Sequence, residues 1–211
     1  MIDFGKLTEH LGNRLLEPLP GQQAHEQMRA IPVGTKIPRF AHKTPPKPGS
    51  VLILLYPHQD QILFPLIKRP TYAGAHSGQV SFPGGKAEAG EDAIETALRE
   101  GNEEIGISKK EVTILGNLSD FFVIPSNFKV TPIVAYASQQ PSLVADPVEV
   151  ARILHGDLAS ILPEHAVRQK EITAANIYQM NAPHFEIESE VVWGATAMIL
   201  NELRTIVKEI L

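Results

Sequence analysis

The chain has no cysteine among its 211 residues and only one tryptophan. Without cysteine there are no disulfides, no thiol nucleophile and no thiolate metal site, so any metal ion must be held by oxygen or nitrogen. Long apolar runs are missing as well. The longest stretches, Val51–Tyr56 and Val191–Leu200, fall well short of the roughly 20 residues that a membrane helix needs. Nor is there an excess of positive charge: 19 Lys and Arg stand against 24 Asp and Glu, a net charge of −5. Binding to a phosphate backbone needs a basic surface, so a general nucleic-acid binder is not expected. The opening Met-Ile-Asp-Phe-Gly-Lys has no basic stretch leading into an apolar block, and so does not read as a signal peptide. These absences point to a cytoplasmic enzyme with no membrane partner.

What is present describes an ordinary globular protein, 43% hydrophobic and 20% charged, with enough apolar residues for one substantial core. Residues 2–17 carry Phe4, Leu7, Leu11 and Leu15 on one helical stripe. Residues 18–50 hold seven of the 17 prolines, and because proline removes backbone donors this segment reads as an extended arm packing on the core. A homodimer contact through this arm stays open. Residues 51–211 form the main domain. Val51–Tyr56 and Ile62–Ile67 read as strands joined by a hairpin turn at Pro57–Asp60, and Gln79–Phe82 as a short strand running into Pro83-Gly84-Gly85. A helix is expected from about Glu91 to Ile105, ending at Gly106. Val112–Leu118 and Val130–Ala137 read as further strands, Asp157 as the cap of a short helix, and the tail from about Trp193 as a final helix. Phe121, Phe122, Phe128 and Trp193 read as core or pocket wall. This order of elements predicts an α/β (α+β) fold with a mixed sheet covered by helices.

The helix that follows Gly85 carries the chemistry. At about 100° per residue, Glu100, Glu103 and Glu104 fall on one face, while Ala93, Ile94, Ala97, Leu98 and Ile105 lie on another, which packs on the sheet. Carboxylates this close repel one another. A hard divalent cation, Mg2+ or Mn2+, relieves that repulsion and prefers oxygen ligands. Arg99 is spaced to pair in bidentate fashion with Glu91, about two turns earlier. Lys68, Arg69, His76 and Lys86 place positive charge near the glycine turn. Cations beside a metal site suit a polyanionic small molecule such as a diphosphate. For the general base the open alternatives are a glutamate of the helix or a later carboxylate, with Glu149 the candidate.

The spacing Gly85-x5-Glu91-x7-Arg99-Glu100-x2-Glu103-Glu104-x-Gly106-Ile107 fixes eight positions in 23 residues. It resembles the signature of the Nudix hydrolases, which cleave a nucleoside diphosphate linked to another group. That resemblance implies a Nudix-type α/β/α sandwich. It also implies metal ligation by Glu100, Glu103, Glu104 and the Gly85 carbonyl, orientation of the carboxylates by Arg99, and a structural role for Glu91. Gly101 stands where the pattern has a bulkier aliphatic residue. By the angular count it lies in the middle of the buried face, which suggests close helix–sheet packing.

Upstream, Leu66, Arg69, Gly78 and Phe82-Pro83-Gly84-Gly85 look like the extra motif of the coenzyme A diphosphatase branch. Pro70 departs from the usual serine and Gly74 from the usual arginine. Pro125-Ser126-Asn127-Phe128-x-Val130-x-Pro132 and Trp193–Ala197 also resemble this branch. The resemblance implies cleavage of coenzyme A into 4′-phosphopantetheine and adenosine 3′,5′-bisphosphate. Two alternatives remain: a Nudix hydrolase of ADP-ribose or NADH, which the Gly74 departure favours, and a catalytically silent nucleotide-binding Nudix domain.

Overall fold

An aspartate opens the first helix: Asp3 accepts a hydrogen bond from the Lys6 amide and caps α1 (Phe4–Arg14), whose Leu7 and Leu11 are buried. The structure is a computed structural model that describes residues 2–33, 40–71, 77–174 and 177–211. The proline-rich segment is more than an extended strap. It contains the short helix α2 (Gln22–Glu26) and a strand, β1 (Ile31–Pro32), and it buries Ala24, His25 and Met28. Its last residues begin β2 (Lys47–His58), so the boundary drawn at residue 50 falls inside a strand. Gln59, at φ 52, and Asp60 turn the chain into β3 (Gln61–Lys68). Next come β4 (Val80–Ser81), β5 (Gly84–Lys86) and α3 (Ala93–Ile105). Then β6 (Thr113–Asn117), β7 (Phe121–Val123), β8 (Phe128–Tyr136) and β9 (Arg152–Asp157) lead to α4 (Leu158–Ile161), which Asp157 caps as expected. The chain closes with β10 (Arg168–Ala174), β11 (Tyr178–Ile187), β12 (Glu190–Trp193) and α5 (Gly194–Ile210).

The larger, eight-stranded sheet is mixed and is organised around β2. One edge of β2 pairs in parallel with β8, from Lys47↔Phe128 to Leu55↔Tyr136. Its other edge is shared: β3 pairs antiparallel near the end of β2, at Tyr56↔Leu63, and β5 pairs near its start, at Ser50↔Gly85. Beyond β3 lie β4 and β9. A second, four-stranded sheet of β1, β10, β11 and β12 was not foreseen. Its hairpin β11–β12 turns through Glu188 and Ser189, both at positive φ, as a two-residue turn with the right hand for twisted strands requires.

Alternation along β2 explains the layering. Leu52, Leu54 and Tyr56 face α3 and pack with Ala97 and Ile105. Ile53 and Leu55 face the opposite way and share a larger core with Leu7 and Leu11 of α1, Met28, and Leu200 and Leu203 of α5. The mixed sheet therefore lies between α3 and the terminal helices, the helix–sheet–helix arrangement expected, and burying each such Leu or Ile side chain stabilises the fold by about 1.5–3 kcal/mol. Gly101 lies where the angular count puts it. A Cβ there would come 2.8 Å from Leu52 Cδ2 and 3.2 Å from Ile107 Cγ2, so its missing side chain lets α3 sit close to β2. Among the described residues no helix is long and apolar enough to cross a membrane.

Candidate active site

Helix α3 is closed at both ends by its own sequence. Asp92 and Glu95 form a reciprocal capping box at the start, and Gly106, at φ 72, caps the end. Just ahead of the helix, Glu91 accepts from the Glu88 amide and from Thr96 Oγ1. Arg99 then reaches back two turns and grips Glu91 with two bonds, Nε to Oε1 at 2.7 Å and Nη2 to Oε2 at 3.1 Å. This is the bidentate pair that the spacing suggested. Arg99 holds the Glu91 carboxyl down to about 2, helped by the Glu88 amide. The same guanidinium donates to Glu100 Oε1 at 2.9 Å, to Glu103 Oε2 at 2.8 Å and to the Lys86 carbonyl at 3.0 Å.

The glycine turn meets this helix on its acidic side. Gly85 lies directly against Glu100: a Cβ at residue 85 would come within 2.5–2.6 Å of all three carboxylate atoms of that side chain. One residue earlier, the Gly84 amide donates to Glu104 Oε2 at 2.7 Å. Glu104 is only 1% exposed. Arg69 closes the cluster, donating to the Gly84 carbonyl at 3.3 Å and lying 3.6 Å from Glu104 Oε1. Burial pushes the Glu104 carboxyl up to about 7 against the Gly84 amide and Arg69, and the charges of Glu100 and Glu149 add to the rise. Glu100 is raised too, first by burial, then by Glu103 and Glu149, with Arg99 opposing. Glu149 is exposed, on the loop before β9, and its charge is felt at both Glu100 and Glu104.

Most of the expected residues therefore meet at one place. Gly85, Glu100 and Glu104 are in contact or close to it, Arg99 binds Glu100 and Glu103, and Glu149 borders them. Glu103 is half-exposed and shares Arg99 Nη1 with Glu100, whereas the buried Glu104 is held by the Gly84 amide and faces Arg69, so the three glutamates are held by different partners. Among the described residues no three His, Asp or Glu side chains are poised together as a ligand group. The donor chemistry nevertheless fits a hard divalent cation. Glu100 and Glu104 lie against the glycine turn with Glu103 and Glu149 beside them, and the first two are hindered from ionising by burial and by their neighbours.

Arg69, expected at the substrate, is engaged with Glu104 and Gly84. Lys68 donates to Glu190 Oε1 of β12 at 2.6 Å, away from the glycine turn. Consecutive residues at the end of a strand point to opposite faces, so one of this pair serves each layer, a signal that the sequence did contain. The Lys86 side chain is exposed. His76 and Gly74 lie outside the described residues.

Residues 46–174 match the model of the NUDIX domain. Nudix hydrolase 3 of Caenorhabditis elegans is 31% identical over 207 residues, spanning 88% of this chain and 85% of that protein. The uncharacterized Nudix hydrolase NudL of Photorhabdus laumondii is 32% identical over 139 residues, 65% of this chain and 73% of its own. Among solved structures, the Nudix hydrolase RenU of M. smegmatis superposes with a TM-score of 0.56 at 14% identity, over 80% of this chain and 90% of that one, a likeness of fold.

Proposed function

This chain belongs to the Nudix family, and from that premise we propose that it is a cytoplasmic hydrolase of coenzyme A or its derivatives, giving 4′-phosphopantetheine and adenosine 3′,5′-bisphosphate. The observation that carries this reading is the place of Arg69. The upstream pattern to which Arg69 belongs is physically joined to the catalytic helix, through the Gly84 carbonyl and the buried Glu104 carboxylate.

Glu100, Glu103, Glu104 and the Gly85 carbonyl would hold Mg2+ or Mn2+. When bound, such an ion supplies neutralisation of the diphosphate charge and acidification of a water. The chain's own residues do the rest. Arg99 fixes the rotamers of Glu100 and Glu103 while anchored on Glu91, so the carboxylates are oriented before substrate arrives. Arg69 offsets part of the buried charge of Glu104. Lys86 and His76 are the cations assigned to the diphosphate oxygens. Glu149, exposed and next to the cluster, accepts the proton as water oxygen bonds to phosphorus and the bridging P–O bond breaks.

A panel of coenzyme A, acetyl-coenzyme A, oxidised coenzyme A, ADP-ribose, NADH and a dinucleoside polyphosphate, assayed with Mg2+ or Mn2+ and resolved by chromatography, tests the reading. Preferential release of adenosine 3′,5′-bisphosphate is expected. Preference for ADP-ribose or NADH overturns the substrate assignment and leaves the chemistry. An unaffected rate in Glu104→Gln removes the catalytic assignment itself.

A further inference from the structure

The Pro125–Phe128 segment stands out in the sequence, yet no step above uses it. In the structure it is a short turn ending at Asn127, which adopts φ 57 and is 6% exposed. Asn127 ties the end of the proline-rich arm to the start of β8. Its side-chain amide donates to the Thr44 carbonyl at 3.1 Å and the Pro45 carbonyl at 3.3 Å, and its own carbonyl accepts from the Lys47 amide at 2.8 Å. This staple sets the register in which Lys47 lies beside Phe128. The Lys47 ammonium sits 5.6 Å from the centre of the half-buried Phe128 ring.

The pair adjoins the carboxylate turn. A side chain beginning at Gly49 would meet the Gly85 carbonyl at 2.6 Å and Phe128 Cδ1 at 3.2 Å, so the ring and that carbonyl crowd the same point, with Glu100 on the far side of Gly85. Among the described residues neither Lys47, two positions before Gly49, nor Lys86, directly opposite Gly49, has a carboxylate partner. A half-buried aromatic ring and an ammonium that rests over it without a carboxylate partner, next to a site proposed to handle diphosphates, match a nucleobase and a phosphate.

We propose that Lys47 and Phe128, held by Asn127, form the nucleoside flank of the site: Phe128 stacks against the base, and Lys47 takes a phosphate oxygen outside the scissile diphosphate. This rests on the reading of the chain as a hydrolase of nucleoside diphosphate derivatives and adds where the nucleoside lies.

Calorimetric titration of the full chain with adenosine 3′,5′-bisphosphate, without added metal, separates the two readings. Phe128→Leu keeps an apolar side chain but no ring, and weakens binding about tenfold, the scale of one lost base stack. Phe128→Tyr restores it. Lys47→Met, at an exposed position where folding is not at issue, weakens the bisphosphate about threefold to fivefold and leaves adenosine binding unchanged. The KM for coenzyme A rises in parallel in both variants. Unchanged bisphosphate binding in Phe128→Leu and Lys47→Met, or no binding by the wild type, overturns the flank. A wild type that binds the bisphosphate through Phe128 but hydrolyses no diphosphate retains the flank and overturns the hydrolase reading instead.

Discussion

Replacing Gly85 by alanine adds a methyl group where the Glu100 carboxylate already sits, with Oε1 2.5 Å and Oε2 2.6 Å from the new carbon. Those distances are about an ångström inside van der Waals contact, so the carboxylate must swing by a similar amount. The backbone has no reason to resist, because Gly85 does not occupy the positive-φ region. Arg99 loses its 2.9 Å bond to Glu100 but keeps Glu91 and Glu103. Gly85→Ala is therefore expected to fold with a stability change under about 1 kcal/mol. It should also lose about 100-fold in kcat, the scale set by a 1 Å misplacement of a catalytic group. Gly84→Ala is the control with the opposite signature. There the added carbon would lie 2.3 Å from the Ser50 carbonyl and 2.6 Å from Val51 Cα, both backbone atoms that cannot rotate away. It should destabilise the fold by about 3 kcal/mol or more. Urea unfolding and metal-dependent hydrolysis of coenzyme A, run on both variants, decide the matter. A Gly85→Ala enzyme with wild-type kcat would refute the claim that this contact positions Glu100.

Three further outcomes follow from contacts already described. Arg99→Lys cannot fork across Glu91 or reach Glu100, Glu103 and Lys86 together, so kcat should fall about 10- to 100-fold, measured under saturating substrate. Glu202 is fully buried and accepts from the Gly21 amide, the Ser119 amide and hydroxyl, and His25. Glu202→Gln should cost about 2–4 kcal/mol in a urea titration. Burial alone would raise the Glu202 carboxyl, but the bonds from His25 and Ser119 outweigh it and hold it below the ordinary 4.5. The stabilisation it gives is therefore complete above pH 4.5 and declines as pH falls below that value. The wild type should lose stability over that acid window more steeply than Glu202→Gln does. Gly101→Leu, which restores the bulk usual at that position, should destabilise by about 1–3 kcal/mol, because Leu52 and Ile107 already occupy the space.

Where side chains repeat at a strict period, the fold was legible from the chain itself. The capped helix α3 and the stripe of α5 appear close to their expected bounds, and the Val51–Tyr56 run is a strand as expected, though β2 begins four residues earlier at Lys47. The second sheet was not, for a physical reason. Strand β10, Arg-Gln-Lys-Glu-Ile-Thr-Ala, is almost wholly exposed, and β11 contains Pro183, so neither shows the alternation that marks a half-buried strand. The arm misled in a similar way. Its prolines imply extension, yet Ala24 and Met28 contribute to burial that no short-range pattern reveals. In the site, helical spacing was enough to bring Glu91, Arg99, Glu100 and Glu103 together. The partners of Lys68 and Arg69 depend on layers distant in sequence, Glu190 and Glu104, and no local pattern names them.

Strand β2 is bonded to β8 along one edge and to β5 and β3 toward the two ends of the other, and its run Leu52–Tyr56 is buried. One of its partners is the glycine turn that carries Gly85. The amide hydrogens of this buried run that are bonded to β8 or, at Leu52, to the Pro83 carbonyl should be among the slowest to exchange for deuterium. The turn borrows that permanence. A site mounted on the last part of the molecule to open has no separate melting step, and its readiness for substrate rises and falls with the global unfolding equilibrium.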